Sequence, residues 1–467
     1  MKLKIGLETH VQLNSKTKLF CSCKNPSQLI EEAEPNTLTC PTCLGLPGSK
    51  PVLNQAVIEM ALKVALALGC RILPEMFFSR KTYFYPDMSK DFQITQYEVP
   101  LAKEGQTDIG GKTVKIRRVH IEEDPARLVH VGGLGGKYTL VDYNRAGIPL
   151  IEIVTEPDFE SPAEARMYLQ KLTTILEYLG VYDSASAAVL KSDANISLEG
   201  GARIEVKNIT GTKEIEEALN YEIVRQNNAI KREQAVSRET RSWNPDLKIT
   251  QKLREKEEDE DYGYITDTDL VLVEIDNKQI KEIERSLPEL PHQKYKRFIK
   301  QYKVPDKIAE ALVSDIDIAN LFEDIAKKID TKIAASWIAG YLKKTLNWHN
   351  ISFRQSGLRP EWIADLLKLF QQGQITDRNA EMVIRKMVEE KLPAKEIIKK
   401  YGFAKTEIDQ AMKNKIKSIL DKNKKAVQDY KSGEQKALHY LVGLVMKETK
   451  GKIDANEARE LILKKIK

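Results

Sequence analysis

The sequence lacks the features of a membrane-bound or secreted protein. None of its apolar runs reaches roughly 18 residues, the length that a membrane-spanning helix needs. Residues 1–6 lead directly into an alternating strand pattern, without the apolar segment of a secretory signal peptide. Together these absences predict a soluble, cytoplasmic protein.

Cysteine is scarce, with five in 467 residues. An odd number with four in close pairs excludes a disulfide framework and favours a metal in a reducing compartment. Cys21 and Cys23 form a C-x-C pair, and Cys40 and Cys43 form a C-x-x-C pair 16 residues further on. This spacing predicts a structural, tetrahedral Zn²⁺ site, the alternative being four unligated thiols. Cys70 ends an apolar helix and is expected in the core.

Phosphate-binding motifs are also missing. The glycine-rich run 132–137 fails as a Walker loop because Val131 stands five residues before Gly136 and Tyr138 follows the lysine. The triplet 88–90 resembles the nucleotide loop of class I synthetases, but no histidine-rich motif precedes it. Any nucleotide must therefore be bound in some other way.

The charge of the chain is unevenly distributed. The net charge is only +6, yet residues 391–467 contain 20 Lys and Arg against 10 Asp and Glu. That excess makes the end of the chain the favoured surface for a polyanion. When charge is the only evidence, lysine-rich helices are more often simply solvated faces.

Length and pattern divide the chain into three predicted domains. A chain of 467 residues is too long for one core. Strand patterns fill residues 1–287, including a hairpin at 191–198 and 204–208 and a strand at 270–275. A double-proline hinge at 287–291 separates these strands from a predicted helical domain, 288–403. A basic helical tail, 404–467, follows. Helical periods are predicted near 304–326, 330–347, 359–372, 376–390, 393–401 and 436–447.

Carboxylates stand at the ends of strand patterns. Glu8 and His10 share one face of the first strand, where they can ligate a divalent ion or form a surface ion pair. Glu152 stands alone among apolar residues in the stretch 140–153, and a buried carboxylate must meet a cation, a donor or water. A charged edge strand with a polar turn at Asn144 and Arg145 is the alternative.

A third acidic strand end is found at residues 118–124. Strict alternation places His120 with Glu122 and leaves Glu123 on the opposite face, but the bend at Asp124 weakens that rule. Oxygen ligands contributed by several strands favour Mg²⁺, which usually serves phosphate chemistry.

Two further groups are candidates for binding. Three consecutive aromatics, Tyr83 to Tyr85, stand among cations and can stack on bases, although packing near a proline is equally common. Asp193 and Lys207 alternate with apolar residues, so their polar faces can line the same sheet.

Seven ordered stretches of the sequence resemble the B subunit of the aspartyl/glutamyl-tRNA amidotransferase family, and the remaining regions resemble the rest of that family. They are residues 6–13, 34–36, 43–48, 83–87, 120–124, 141–153 and 193–195. The resemblance implies an α+β protein: a cradle-like mixed, largely antiparallel β domain with helices, then a helical domain and a small helical tail domain.

The resemblance also implies a ligase. Proteins of this kind bind misacylated Asp-tRNA(Asn) and/or Glu-tRNA(Gln) and use ATP and Mg²⁺ to phosphorylate the side-chain carboxylate. Ammonia from a partner amidase subunit, reaching the site through a channel, then displaces phosphate, and the pair is braced by a small third subunit.

Site residues follow from the resemblance by motif. His10, Glu123 and Glu152 are the expected Mg²⁺ ligands, with Glu8 beside them as a further catalytic residue. The choice of Glu123 over Glu122 rests on the resemblance and opposes the alternation argument. The four paired cysteines are the expected zinc ligands, and the tail the expected grip on the tRNA body. The candidates for substrate or tRNA binding are Tyr83, Tyr85, Asn144, Arg145, Asp193 and Lys207.

Two alternatives stay open. A related archaeal protein carries an insertion of over a hundred residues before the helical region, for which the interval between Leu270 and Leu287 has no room. A zinc-bearing RNA-binding module without catalysis is the other. The acidic set argues against it, since carboxylates beside a phosphate-rich ligand need a cation between them.

Overall fold

The computed structural model describes residues 3–29, 33–132, 138–199, 201–234, 236–255, 263–405, 410–449 and 452–466. The chain forms two compact units, residues 1–291 and 292–467, and every strand of the described residues belongs to the first. Most of the glycine-rich run 132–137 lies outside the described residues. The domain boundaries at 287 and 403 remain predictions.

Sixteen strands are present among the described residues. They are β1 (Leu3–Gln12), β2 (Arg71–Ile72), β3 (Glu75–Met76), β4 (Ser79–Thr82), β5 (Phe92–Thr95), β6 (Ala102–Asp108), β7 (Thr113–Glu123), β8 (Arg127–Val131), β9 (Tyr138–Asp142), β10 (Pro149–Thr155), β11 (Leu190–Leu198), β12 (Ile204–Thr210), β13 (Glu239–Asn244), β14 (Ile249–Glu255), β15 (Ile265–Thr266) and β16 (Val273–Glu274).

Nine of these strands form one large sheet, in the order β14-β13-β12-β11-β1-β10-β7-β6-β2. All neighbours are antiparallel except β12 and β13, which are parallel. The α+β fold with a largely antiparallel sheet is therefore confirmed, as is the hairpin β11–β12. The strand predicted at 270–275 is shorter and consists only of β16, which pairs with β3.

The two faces of the sheet differ in chemistry. Along β1, Leu7 and Val11 point into the main hydrophobic core, while Glu8 and His10 point to the other face. Helices cover the apolar face, and the helix Pro162–Tyr178 contributes Tyr168 to that core. Packing on one side therefore leaves the opposite side free for polar groups.

Seventeen α-helices are present among the described residues. They are α1 (Gln55–Ala67), α2 (Pro162–Tyr178), α3 (Thr212–Lys231), α4 (Asn277–Ser286), α5 (Pro291–Tyr302), α6 (Asp306–Val313), α7 (Ile316–Ala326), α8 (Thr331–Ser336), α9 (Lys343–Trp348), α10 (Phe353–Ser356), α11 (Pro360–Gln371), α12 (Asp377–Glu390), α13 (Ala394–Tyr401), α14 (Gln410–Lys422), α15 (Lys424–Lys431), α16 (Gln435–Glu448) and α17 (Ala455–Ile466). Four of them (α1–α4) lie in the first unit. The other thirteen (α5–α17) form the second unit, with α5 beginning at its boundary.

The second unit follows the predicted helical periods with one division. The period at 304–326 is two helices, because the side chain of Asp315 caps α7 by accepting hydrogen bonds from the amides of Asp317 and Ile318. Helices α8 and α9 are joined by the π-helical segment Trp337–Leu342. No helix of the described chain is long and apolar enough to span a membrane.

The tail helix α16 has one buried face. Leu438, Leu441 and Val445 pack in a small core shared with residues of α14 and α17, whereas Tyr440 is 55% exposed. A cleft of about 470 Å³ lies beside it. Its charged and aromatic lining residues are Lys422, Lys424, Lys425, Asp429, Glu434, Lys436 and Tyr440.

A buried ionic network fixes the last strands of the sheet. Glu222 on α3 is fully buried and accepts hydrogen bonds from Arg225 at 2.9 Å and from Thr250 of β14. Its carboxylate lies 3.1 Å from Nε of Arg241 on β13. Burial opposes ionisation, but these partners hold the pKa of Glu222 below its ordinary value.

Glu222→Gln should therefore destabilise the first unit by about 3 kcal/mol at pH 7, because it leaves the half-buried Arg225 and Arg241 with Glu239 as their one shared carboxylate. The depressed pKa means that this contribution is present above the ordinary glutamate pKa and is lost as the pH falls through the folded value. Denaturant unfolding at pH 7 and at pH 4 should show the difference between variant and wild type shrinking in acid. Glu217→Gln, which removes a more exposed pair with Lys248, is the matched control. An equal loss in both variants would contradict the assignment.

Candidate functional site

Three strands bring a row of polar side chains together on the free face of the sheet. In β10, Glu152 pairs with His10 of β1 on one side and with His120 of β7 on the other. Directly opposed residues of antiparallel strands carry their side chains on the same face, within contact distance. Glu122 follows on the same face of β7.

The four side chains form a compact cluster. Nε2 of His10 lies 3.2 Å from Glu152 Oε2 and 3.6 Å from Glu122 Oε1. Nε2 of His120 lies 3.2 Å from the same oxygen of Glu152 and 3.7 Å from Glu122 Oε2. Glu122, Glu152 and His120 are buried, whereas the side chain of His10 is 25% exposed. The cluster therefore opens to solvent on the side of His10.

The cluster balances two carboxylates against two imidazoles. Burial lowers the pKa of His10, but the hydrogen bond and charge of Glu152 and the charge of Glu122 outweigh it and raise that pKa to about 10. For Glu152, burial is outweighed by His120 and His10, and its pKa lies well below the ordinary range. The imidazoles thus lower the pKa of both Glu122 and Glu152 and favour their ionised form, which is the form that binds a cation.

The cluster suits a divalent cation. His10, Glu122 and Glu152 each offer one ligand atom, and these atoms lie within 4.8 Å of one another. Ligand atoms around an octahedral Mg²⁺ are separated by about 2.9 Å when adjacent and about 4.2 Å when opposite. Two carboxylates favour Mg²⁺ or Mn²⁺, and the single imidazole is compatible with either when water completes the shell.

Glu123 lies on the other face of β7. Its Oε1 accepts hydrogen bonds from the ammonium of Lys90 and from the amide of Ile94, the latter at 2.9 Å. The pairing of β7 with β10 continues without a shift to the last residue, so alternation persists through Glu123. The structure therefore differs from the expected ligand set, because it brings Glu122 and not Glu123 to His10 and Glu152.

A second polar group adjoins the cluster on the same face. Glu8 pairs with Asp193 of β11, and its carboxylate accepts a hydrogen bond from Asn195 at 2.8 Å. Lys207 of β12 lies 3.4 Å from both Asp193 and Glu205. Burial first, and then the neighbouring carboxylates led by Glu152, raise the pKa of Glu8. The structure thus places Glu8, Asp193 and Lys207 beside the cluster, and their roles in catalysis and binding stay predictions.

The remaining predicted residues are placed differently. Asn144 is buried, and its side chain forms hydrogen bonds with the backbone of the 34–38 segment. It accepts a hydrogen bond from the amide of Leu38 at 2.7 Å and donates one to the carbonyl of Glu34 at 2.8 Å. Arg145 forms a two-pronged ion pair with Asp124. Both residues thus hold the turn before β10, and their role in substrate binding stays a prediction. Tyr85 is exposed and Tyr83 half-buried.

His120 belongs to the cluster although the sequence motifs did not select it as a ligand. The available signal is its position two residues before Glu122, on the face that the alternation rule assigns to the cluster. Arg118 follows the same rule and lies 3.9 Å from Glu152. The sequence alone does not select either residue, because the resemblance makes Glu123 the ligand and so points to the opposite face of the strand.

The paired cysteines converge on a second metal-binding group. The sulfur atoms of Cys21, Cys23, Cys40 and Cys43 lie within 4.8 Å of one another. The Cys40 and Cys43 sulfurs are 3.8 Å apart, and two ligands of a tetrahedral Zn²⁺ with bonds of about 2.3 Å are separated by about 3.8 Å. The amide of Cys40 donates to the Cys43 sulfur at 3.1 Å. The group therefore fits a structural zinc.

Two family models match the chain, one over the strand-built unit and one over the helical unit. Residues 3–281 match the family model described as "GatB/GatE catalytic domain", and residues 320–466 match the one described as "GatB domain". The chain is also similar over its whole length to proteins named as the B subunit of aspartyl/glutamyl-tRNA(Asn/Gln) amidotransferase.

Three of these relatives show the extent of the similarity. The protein of Methanosarcina barkeri is 46% identical, covering 100% of this chain and 98% of its own. Those of Saccharolobus solfataricus and Thermotoga petrophila are 43% and 42% identical, with coverage of at least 98% on both sides. The chain therefore belongs to the family of amidotransferase B subunits, which are components of enzymes.

The geometry predicts which glutamate binds the cation. Glu122→Gln should weaken the binding of Mn²⁺, followed by electron paramagnetic resonance, by about tenfold or more, because it removes a charged ligand. Glu123→Gln, one residue away on the opposite face, should change it little. Weakened binding in Glu123→Gln together with wild-type binding in Glu122→Gln would restore the ligand set expected from the sequence.

Proposed function

We propose that this chain is the tRNA-binding, ATP-using subunit of a glutamine-dependent ligase. It binds Asp-tRNA(Asn) and/or Glu-tRNA(Gln), phosphorylates the side-chain carboxylate of the attached amino acid, and lets ammonia displace the phosphate. The observation that carries the proposal is the cluster of His10, His120, Glu122 and Glu152. Its carboxylates lie next to a solvent opening and are suited to a cation between protein and phosphate.

The chemistry explains why a phosphoryl step is needed. A carboxylate is a poor acyl donor because its leaving group would be an oxide. Transfer of the terminal phosphoryl group of ATP to a carboxylate oxygen gives ADP and an acyl phosphate. Ammonia then forms the carbon–nitrogen bond, and inorganic phosphate leaves with the bonding electrons. The products are Asn-tRNA(Asn) or Gln-tRNA(Gln).

Each group on the polar face has a proposed task. His10, Glu122 and Glu152 would hold the Mg²⁺, which when bound neutralises phosphate charge during transfer. His120 orients Glu152 from the neighbouring strand. Lys207 lies among Asp193 and Glu205 on the same face and can donate to a phosphate oxygen. Glu8, with its raised pKa, accepts or supplies a proton beside them.

Partners and location belong to the same proposal. The ammonia would come from an amidase subunit that hydrolyses glutamine, and a small third subunit would complete a heterotrimer. The relatives are named as one lettered component of an amidotransferase, which supports an assembly of several chains. Translation chemistry on charged tRNA supports a cytoplasmic location.

The basic tail is the proposed contact with the tRNA body. Its cleft exposes Lys422, Lys424, Lys425 and Lys436 beside the exposed ring of Tyr440. Ammonium groups meet phosphates, and an aromatic ring can stack on an unpaired base. The matched "GatB domain" includes this region.

The reaction is tested with the chain assembled with its partner subunits. Formation of amide and of ADP on misacylated tRNA should fall by about 100-fold or more in His10→Ala and Glu152→Gln, because both substitutions remove charge stabilisation in the transfer step. Binding of the charged tRNA should remain close to that of the wild type. Glu59→Gln, on the exposed side of α1, is the control. Undiminished ADP formation in both site variants would place phosphoryl transfer elsewhere in the assembly.

The tail is tested by its salt dependence. A variant with four tail lysines changed to glutamine (Lys422, Lys424, Lys425 and Lys436) should bind tRNA more weakly. The slope of log K against log salt should fall by up to about three, because counterions are no longer released at each phosphate contact that is lost. A control with four exposed lysines of the helical region changed to glutamine keeps the net charge equal. These are Lys307, Lys328, Lys332 and Lys344. An equal change of slope in both variants would reduce the role of the tail to net charge.

A further inference from the structure

Lys18 is a fully buried lysine close to the cysteine group. Its relative exposure is 0%, and it ranks among the largest completely buried side chains. It follows β1 and precedes Cys21 by three residues. Among the described residues its ammonium donates one hydrogen bond, to the carbonyl of Tyr143 at 3.4 Å, and forms no ion pair with a carboxylate. A buried ammonium without a counter-charge is costly, so its partner has to be sought nearby.

The cysteine group adjoins Lys18 in the fold. A methyl group placed on Gly147 would lie 3.6 Å from Cδ of Lys18 and 3.8 Å from Cβ of Cys43, so the two side chains flank the same point. The amide of Lys18 also donates a hydrogen bond to the carbonyl of Cys23 at 3.0 Å, which ties Lys18 to the first cysteine pair. Four thiolates around Zn²⁺ carry an excess of two negative charges. A buried cation beside them would offset part of that excess.

Lys18 also lies where the cysteine-bearing loop meets the turn before β10. The loop that ends in Cys40 and Cys43 is tied to the turn before β10: Asn36 donates to the carbonyl of Val141 at 3.1 Å and accepts from the amide of Tyr143 at 2.7 Å. The ammonium of Lys18 binds the Tyr143 carbonyl in that same turn. The side chain of Lys18 thus flanks Gly147 together with Cys43 of that loop and binds the segment that leads to Glu152.

We propose that Lys18 is the internal counter-charge of the zinc–thiolate group and a positioning residue that holds the zinc-loaded loop against the 142–147 turn. The proposal rests on the structural zinc assigned above to the four cysteines. Its basis is the buried ammonium, which no carboxylate of the described chain pairs with, on a side chain that flanks Gly147 together with Cys43. The zinc-loaded cysteines carry the negative charge that this cation can balance. Ligand-orienting partners outside the first shell change metal affinity by about tenfold to a hundredfold when removed.

The test follows zinc in the full-length chain. Zinc content by mass spectrometry and the rate of zinc transfer to a chromogenic chelator are measured for wild type, Lys18→Met, Lys18→Arg and the control Lys16→Met, in which an exposed lysine of the same segment is replaced. Lys18→Met should lose zinc about tenfold to a hundredfold faster, Lys18→Arg should stay close to wild type, and Lys16→Met should be unchanged. In the zinc-free state, Lys18→Met should be at least as stable as wild type, because the uncompensated ammonium is gone.

Three results would separate the alternatives. A wild-type chain without bound zinc would overturn the metal assignment itself, and with it this proposal. Zinc-loaded Lys18→Met that releases the metal at the wild-type rate would overturn the role of Lys18 alone. Zinc-free Lys18→Met that unfolds where zinc-free wild type folds would show that the lysine stabilises the chain through packing, and would overturn charge balance as its function.

Discussion

The candidate site depends on the pairing register of three neighbouring strands, β1, β10 and β7. Glu152 stands opposite His10 and His120 only because the two antiparallel ladders on either side of β10 are in step. A slip of one residue in either ladder would turn a charged side chain into the core and an apolar one out of it. Ile151 and Ile153, fully buried on the opposite face, therefore fix the position of Glu152 as firmly as its own contacts do.

The sequence predicts much of this arrangement because alternation along a strand is a local property. Glu8, His10 and Glu152 are placed together as expected, and so is the hairpin that carries Asp193 and Lys207. The choice between Glu122 and Glu123 needed the point at which β7 stops alternating. Alternation persists up to the bend at Asp124, because pairing with β10 continues through Glu123.

Other features depend on contacts between distant parts of the chain. Asn144 and Arg145 look like ligand-binding groups in the sequence, but their partners, Leu38 and Asp124, are 106 and 21 residues away. Burial of Lys18 is equally hidden, since nothing near it in the sequence marks it as different from Lys16. Such groups can be assigned only once the fold has shown which polar atoms are already occupied.

The position of β1 also has a consequence for biosynthesis. This strand is made before the other strands of the large sheet and lies inside it, yet its partners β10 and β11 begin at residues 149 and 190. The emerging chain must therefore keep an apolar strand with two unpaired edges until more than a hundred further residues have been synthesised. Long-range pairing of this kind folds slowly and exposes edges that can associate with other chains. In the cell, β1 is thus a segment that needs protection during translation, and the enzyme's yield depends on how well the nascent chain is shielded.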